Sequence, residues 1–415
     1  AGFFVGWTYW FSWVVIGMAD VVAITGYWEY WLGEDWRWLA MVLTTAVMLA
    51  LLVMNLASVK LFGEIEFWFA IVKLAAIVAL VGVASFMVIV GFTSPDGTTA
   101  SVSHLWSHGG MFPTKFTGFV NGFQLAVFAF VGIELVGTTA AETANPRVTL
   151  PRAINAIPVR ILLFYVVALA AIMCVTPWNE INPKISPFVS LFGLAGLAGA
   201  AGIMNAVILS SASSSCNSGI YSTSRMLFGL AHKRMAPKGF RELTRVGVPW
   251  RGLVVTVCVI CSAHFLTLSS GLQSAFKIVV ALASVLFLFV WSIILICHVV
   301  YRRSDPEAHA TSEYKMPGSR VMPWIVLAFF VFILVALTRD RDTLTALAVT
   351  PLWFGVLGLG WWRVRGVARA AAETYGASGA HSAAEEDRKQ PDAGKRSGSG
   401  KQPSGKLPDS EGGGK

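Results

Sequence analysis

Apolar runs close to the ~20 residues that a helix needs to cross a bilayer recur along almost the whole chain. Such stretches stand at 3–31, 39–58, 66–92, 117–141, 154–176, 188–230, 251–269, 273–301, 321–338 and 343–363, ten in all. The sixth is too long for one simple crossing, so its ends are expected to run into loop or a neighbouring turn. None alternates apolar and polar residues as the strands of a membrane barrel do over about ten residues. Hydrophobic residues make up 55% of the chain and charged ones 13%, with a mean hydropathy of +0.64. The expected fold class is therefore an all-α polytopic membrane protein, with the lipid bilayer as its first partner.

Loop charge orients the spans, because Lys and Arg accumulate on the cytoplasmic side. The connections 59–65, 142–160, 231–251 and 302–320 and the exit from the last span carry most of the cations, including Lys60, Arg147, Lys233, Arg241, Arg302 and Arg363. The alternate connections offer Arg37, Lys115, Lys184, Lys277, Arg339 and Arg341. The first set is expected inside, which places both ends of this chain in the cytoplasm of a multi-pass cell-membrane protein. From about 366 onward Gly, Ser, Pro, Lys and Glu replace the apolar residues, a composition that cannot bury a core. The expected division is a transmembrane domain over 1–365 and a disordered cytoplasmic tail over 366–415. Residues 365–415 hold nine Lys or Arg and seven Asp or Glu, so they supply little of the formal +9. The inside bias accounts for the excess, and no nucleic-acid partner is expected.

Enzyme signatures are absent: there is no His-Glu-x-x-His, no P-loop and no Gly-x-Ser-x-Gly. No catalytic residue, cofactor or metal is expected, and the chain is not read as an enzyme. Cys174, Cys216, Cys258, Cys261 and Cys297 lie in or beside apolar spans without zinc-ligand spacing and read as buried structural thiols. His104, His108, His232 and His309 fall in connections and read as solvated. Trp7, Tyr9, Trp10, Trp28, Tyr30, Trp31, Trp361 and Trp362 cluster near span ends and read as an interfacial belt. No cleavable signal precedes the first span, and the opening at Ala1 inside an apolar segment fits a fragment or a late start.

Ionisable groups at membrane depth are costly to desolvate, so they are functional candidates by default. Glu134 is the foremost. It sits in Phe128-Ala129-Phe130-Val131-Gly132-Ile133-Glu134, where a glycine and a carboxylate interrupt an apolar span. This is the pattern of a broken transporter helix. Carbonyls freed at Phe128, Ala129 and Val131 would form a half-helix C-terminus of negative character, suited to an ammonium group. Glu134 would take hydrogen bonds from unpaired amides or bind a proton. A continuous helix with Gly132 merely packing closely is the alternative.

Lys73 lies about two turns inside the third span, after Glu64 and Glu66. It either snorkels back to the headgroups or serves as a proton-exchanging ammonium or fixed cation. Asp20 interrupts the first span and serves packing or function equally well. In the polar run 210–219, Ser210, Ser214 and Asn217 share one helical face and Ser211 lies on the adjoining one. Small hydroxyls promote close helix packing, and so many on two faces also suit a hydrated pathway toward the cytoplasm.

Several stretches together resemble the bacterial amino acid permeases of the amino acid–polyamine–organocation superfamily. They are Gly63-Glu64-Ile65-Glu66-Phe67-Trp68-Phe69-Ala70, Phe130 through Thr138, Leu150-Pro151-Arg152-Ala153-Ile154 and Asn217 through Leu227. The resemblance covers about 1–363. It implies a LeuT-type inverted-repeat fold of twelve helices, of which the ten spans would be the third to the twelfth. The first two, with the break that holds a substrate carboxylate, would be missing from this chain.

The stretch 128–134 would then match the sixth-helix break that holds a substrate ammonium, with Phe128 shielding the substrate and Ala129, Val131, Gly132 and Ile133 beside it. Lys73 and Asp20 would match charged positions of the fifth and third helices. The function implied is proton-coupled uptake of small neutral zwitterionic amino acids, glycine and the D-isomers of alanine and serine among them. Protons would be the coupling ion, taken up by Glu134, Lys73 or Asp20. A permease of other specificity, an exchanger, and a membrane sensor or inactive fragment are the alternatives.

Overall fold

The computed structural model describes residues 2–57, 59–95, 97–110, 112–138, 145–182, 185–196, 198–312, 314–339 and 343–366. Residues 367–415, on which the expectation of a disordered tail falls, lie outside the described residues. Helix dominates what is described, and the one β contact among these residues is an isolated bridge between Thr93 and Thr99.

The main helices in chain order are α1 (Gly2–Leu32), α2 (Arg37–Ala57), α3 (Val59–Ile89), α4 (Lys115–Ala129) and α5 (Leu135–Thr138). They continue with α6 (Pro146–Val175), α7 (Ala198–His232), α8 (Trp250–Cys261), α9 (Ala263–Ser304), α10 (Met322–Leu337) and α11 (Thr343–Gly366). Six helical segments among the described residues are long and apolar enough to cross a membrane, and α10 is a shorter apolar helix. The long stretch 188–230 resolves into a short helix, Pro187–Leu194, followed by α7. Between 251–269 and 273–301 the chain turns at Gly271, whose φ of +76° is open to glycine at little cost.

A helix that is apolar around its whole circumference belongs in a core, and α1 is such a helix. In α1, 72% of the apolar window is buried within the protein, against 17% in Glu66–Ile89 of α3. Its Val14, Val21, Val22 and Ile24 pack with Met48 of α2, Ile220 and Leu227 of α7 and Val257 and Ile260 of α8. Its Trp13, Val15, Ile16 and Ala19 pack on the other side with Val279, Val280, Ala283 and Phe287 of α9. Small residues let the backbones approach: a Cβ at Gly252 would stand 3.1 Å from the Ser224 carbonyl oxygen. Polar ties through the core include Asn205 Nδ2 donating to the Tyr27 carbonyl at 2.8 Å. Trp353 Nε1 donates to Thr8 Oγ1 at 3.3 Å while its ring stacks on Phe11, which ties α11 to α1.

Three expectations need correction. Cys174 and Cys216 are buried, but Cys258 and Cys297 are exposed and Cys261 is half-buried; all five are free thiols. An outward position suits a thiol on a span, since it behaves as a small hydrophobe. His104 is buried rather than solvated, and its Nδ1 has no hydrogen-bond partner among the described residues. Trp10 is buried as well, with its Nε1 donating to Thr256 Oγ1 at 3.3 Å, so it is no part of an interfacial belt.

Candidate functional site

The break lies where the sequence places it. α4 ends at Ala129, residues 130–134 form turns, and α5 resumes at Leu135. Gly132 adopts φ +99°, a region that costs a side-chain-bearing residue ~1–2 kcal/mol or more. Here the continuous-helix alternative fails.

Glu134 folds back over this turn. Its Oε2 accepts from the Gly132 amide at 3.2 Å and from Trp291 Nε1 of α9 at 3.2 Å, while Oε1 accepts from the Tyr9 hydroxyl of α1 at 3.2 Å. One carboxylate thus satisfies an amide that the break strands and fastens the break to two neighbouring helices. A buried polar group left unpartnered would cost ~1–3 kcal/mol, so these bonds hold the turn open.

The expectation of free carbonyls needs amending. The Phe128 carbonyl accepts from the Val131 amide at 3.1 Å, and the Ala129 carbonyl accepts from the Tyr165 hydroxyl at 2.7 Å. Tyr165 belongs to a π-helical stretch, Leu162–Val167, inside α6. Such bulges reorient a side chain by about one position and gather at functional sites. Phe128 and Val131 pack against the α1–α9 core around Trp13, and Ile133 is exposed.

Trp13 links this break to a second polar region. Its Cη2 would stand 3.7 Å from a Cβ on Gly132, and its Cε3 would stand 3.4 Å from one on Gly219 of α7. The indole therefore occupies the space between the break and α7. Its own Nε1 is buried without a partner among the described residues.

The second region surrounds Ser214 and Asn217. Lys73 Nζ donates to Ser214 Oγ at 2.7 Å, and Ser214 Oγ donates to Glu66 Oε1 at 2.6 Å. Lys73 and Glu66 form an ion pair at 4.0 Å. The Lys73 ammonium is thus committed to α7 rather than to the headgroups, contrary to snorkelling. Asn55 Nδ2 donates to Asn217 Oδ1 at 2.7 Å, tying α2 to α7. Asp20 is half-buried on α1, which packs against α7. Ser210 returns its hydroxyl to the Val207 carbonyl at 2.7 Å, and Ser211 makes no side-chain hydrogen bond among the described residues. So Lys73, Asp20, Ser214 and Asn217 come together, while Ser210 and Ser211 stand apart.

Unpartnered buried atoms mark this region. Asp20 Oδ2, Asn55 Oδ1, Glu66 Oε2 and Asn217 Nδ2 all lack hydrogen-bond partners among the described residues. Buried polar atoms are usually paired, so a concentration of such atoms sets this region apart from the dry core. Sequence reasoning missed Tyr9, Trp291 and Tyr165 at the break and Asn55 and Glu66 at the second region. A tyrosine one turn from a buried tryptophan gave no sign of its partner 125 residues away. No group of three or more His, Cys, Asp or Glu side chains that could hold a metal occurs among the described residues.

Residues 1–369 match the amino acid permease family. The chain is 54% identical over 362 residues to a D-serine/D-alanine/glycine transporter of Escherichia coli (strain K12), covering 87% of this chain and 76% of that protein. It is 46% identical over 360 residues to an amino-acid permease of Bacillus subtilis (strain 168), covering 86% of this chain and 76% of that protein.

Proposed function

The chain belongs to the amino acid permease family, and on that footing we propose that it is a proton-coupled symporter for small neutral amino acids. A transporter rather than an enzyme is what the family indicates. Its substrates in our reading are glycine, D-alanine and D-serine, carried inward across the cell membrane with both chain ends in the cytoplasm. The helical segments correspond to helices three to twelve of a twelve-helix inverted-repeat fold.

The observation that carries the proposal is the Gly132 break with Glu134 seated across it. Broken backbone at membrane depth is tolerated where it lines a cavity or is buried in protein. The C-terminal end of α4 lies at the break, and the negative end of a half-helix suits a substrate ammonium, which the Phe128 and Ala129 carbonyls would receive on the lone pairs left by Val131 and the Tyr165 hydroxyl. Phe128, Ala129, Val131, Gly132 and Ile133 form the substrate side of this turn. Glu134, Lys73 and Asp20 are the groups placed to exchange protons, and Ser210, Ser211, Ser214 and Asn217 line the route on the cytoplasmic side. Support for small D-substrates comes from the named activity of the relative that is 54% identical.

Uptake of labelled D-alanine into proteoliposomes holding the purified protein tests the proposal, with and without an inward proton gradient. Gradient-stimulated uptake, competed by unlabelled glycine and D-serine and not by tryptophan, is expected. Equal uptake with and without the gradient would remove the coupling claim. Competition by bulky amino acids alone would remove the substrate claim.

A further inference from the structure

Glu66 has no place in the proposal so far, yet it is bonded to the one lysine that does. Lys73 and Glu66 lie on one face of α3, seven residues apart, and α7 inserts the Ser214 hydroxyl between them. The ammonium and carboxylate are 4.0 Å apart, too far for a direct hydrogen bond. Through Ser214 the two steps are 2.7 Å and 2.6 Å, both short enough for charge-assisted bonds. The direction of the bonds is consistent: nitrogen donates to hydroxyl, and hydroxyl donates to carboxylate. Ser214 is fully buried, so no solvent competes for that hydroxyl.

We propose that Glu66 is the acceptor to which the Lys73 ammonium passes a proton through the Ser214 hydroxyl. This step rests on the proton-coupled reading above and gives it an exit. A Lys73 N–H bond breaks as its proton joins Ser214 Oγ. The former Ser214 proton moves to Glu66 Oε1, leaving a neutral amine and a neutral acid. Nothing else is consumed, and proton loss from Glu66 and gain by Lys73 resets the chain.

Transfer turns an ion pair whose side chains are 28% and 30% exposed into two neutral groups, which lightens the partial desolvation that each charge bears. The elements packed here bring further ionisable groups: Asp20 and Tyr27 on α1, Arg37 at the far end of α2, Cys174 in α6, and Cys216, Tyr221 and Arg225 on α7. Glu64 is an exposed group of α3 itself.

The test is D-alanine-driven proton entry into proteoliposomes, read by a trapped pH-sensitive dye, beside exchange of labelled for unlabelled D-alanine. Glu66→Gln should cut proton entry by roughly 100-fold, the scale of a lost acid–base group, while exchange persists, and Ser214→Ala should cut proton entry as far. Ser214→Thr keeps the hydroxyl and should restore proton entry. Proton entry at the unsubstituted rate in Ser214→Ala would overturn the relay and leave coupling intact. No proton entry in the unsubstituted protein, with exchange present, would overturn the coupling reading and the relay with it. Loss of exchange in both variants, unrepaired by Ser214→Thr, would make the trio a packing element and overturn the relay.

Discussion

Replacing Gly132 with alanine isolates the backbone of the break from everything else in the site. A Cβ there would meet Trp13 Cη2 at 3.7 Å, ordinary contact, so crowding contributes nothing. The penalty is conformational, because φ is +99°. A residue bearing a Cβ held in such a region costs ~1–3 kcal/mol, and we take ~2 kcal/mol. That corresponds to about 30-fold in an equilibrium constant. If the broken turn is the form that receives substrate, only the fraction retaining it binds, and the apparent affinity falls by that fraction. The KM for D-alanine should therefore rise in Gly132→Ala, by up to about 30-fold, at equal protein per vesicle. Gly137 supplies the control, since it lies in the resumed helix with open space around it. Gly137→Ala should leave KM unchanged, alanine being the better helix former by ~1 kcal/mol. Initial-rate uptake over a range of D-alanine concentrations measures both. An unchanged KM in Gly132→Ala would refute the assignment of the left-handed turn to the substrate-ready state.

Further outcomes follow from the same contacts. Glu134→Gln keeps shape and removes charge: its amide oxygen satisfies Gly132 and Trp291, while the Tyr9 hydroxyl turns to accept from its amide nitrogen. Expression should persist and the pH dependence of uptake should disappear; retained pH dependence would reduce Glu134 to a structural tie. Trp291→Phe removes one donor from that carboxylate, worth ~1.5 kcal/mol, and should raise KM about tenfold. Lys73→Ala leaves Ser214 and Glu66 without their cation and should bring uptake near background, whereas near-normal uptake would return Lys73 to a packing role.

The break was legible because a carboxylate, rare at membrane depth, stands two positions after a glycine free in φ. Its fasteners were not. Tyr9 and Trp291 lie 125 and 157 residues from Glu134, and no local pattern records such pairings; Tyr9 sits in an aromatic cluster that reads equally well as a membrane belt. Ser214 was visible as one of many hydroxyls, yet its selection over Ser210 depends on which neighbour faces it. Glu66 resembled an interfacial acid because it opens a span, and only the approach of α7 gives it a partner. Cys258 and Cys297 were misplaced because helices apolar on every side carry no sign of which face looks outward. The opposite case is the gap between the runs 251–269 and 273–301, where the backbone does turn, at Gly271.

Coupling of amino acid movement to protons is the centre of this account, and a zero-flux measurement tests it most directly. With membrane potential clamped at zero, vesicles are given a series of pH gradients and D-alanine ratios, and net flux is recorded. One-for-one symport predicts that net flux vanishes when internal D-alanine exceeds external by about tenfold per pH unit, since each factor of ten is 1.4 kcal/mol. Zero flux at equal concentrations, whatever the gradient, would contradict it.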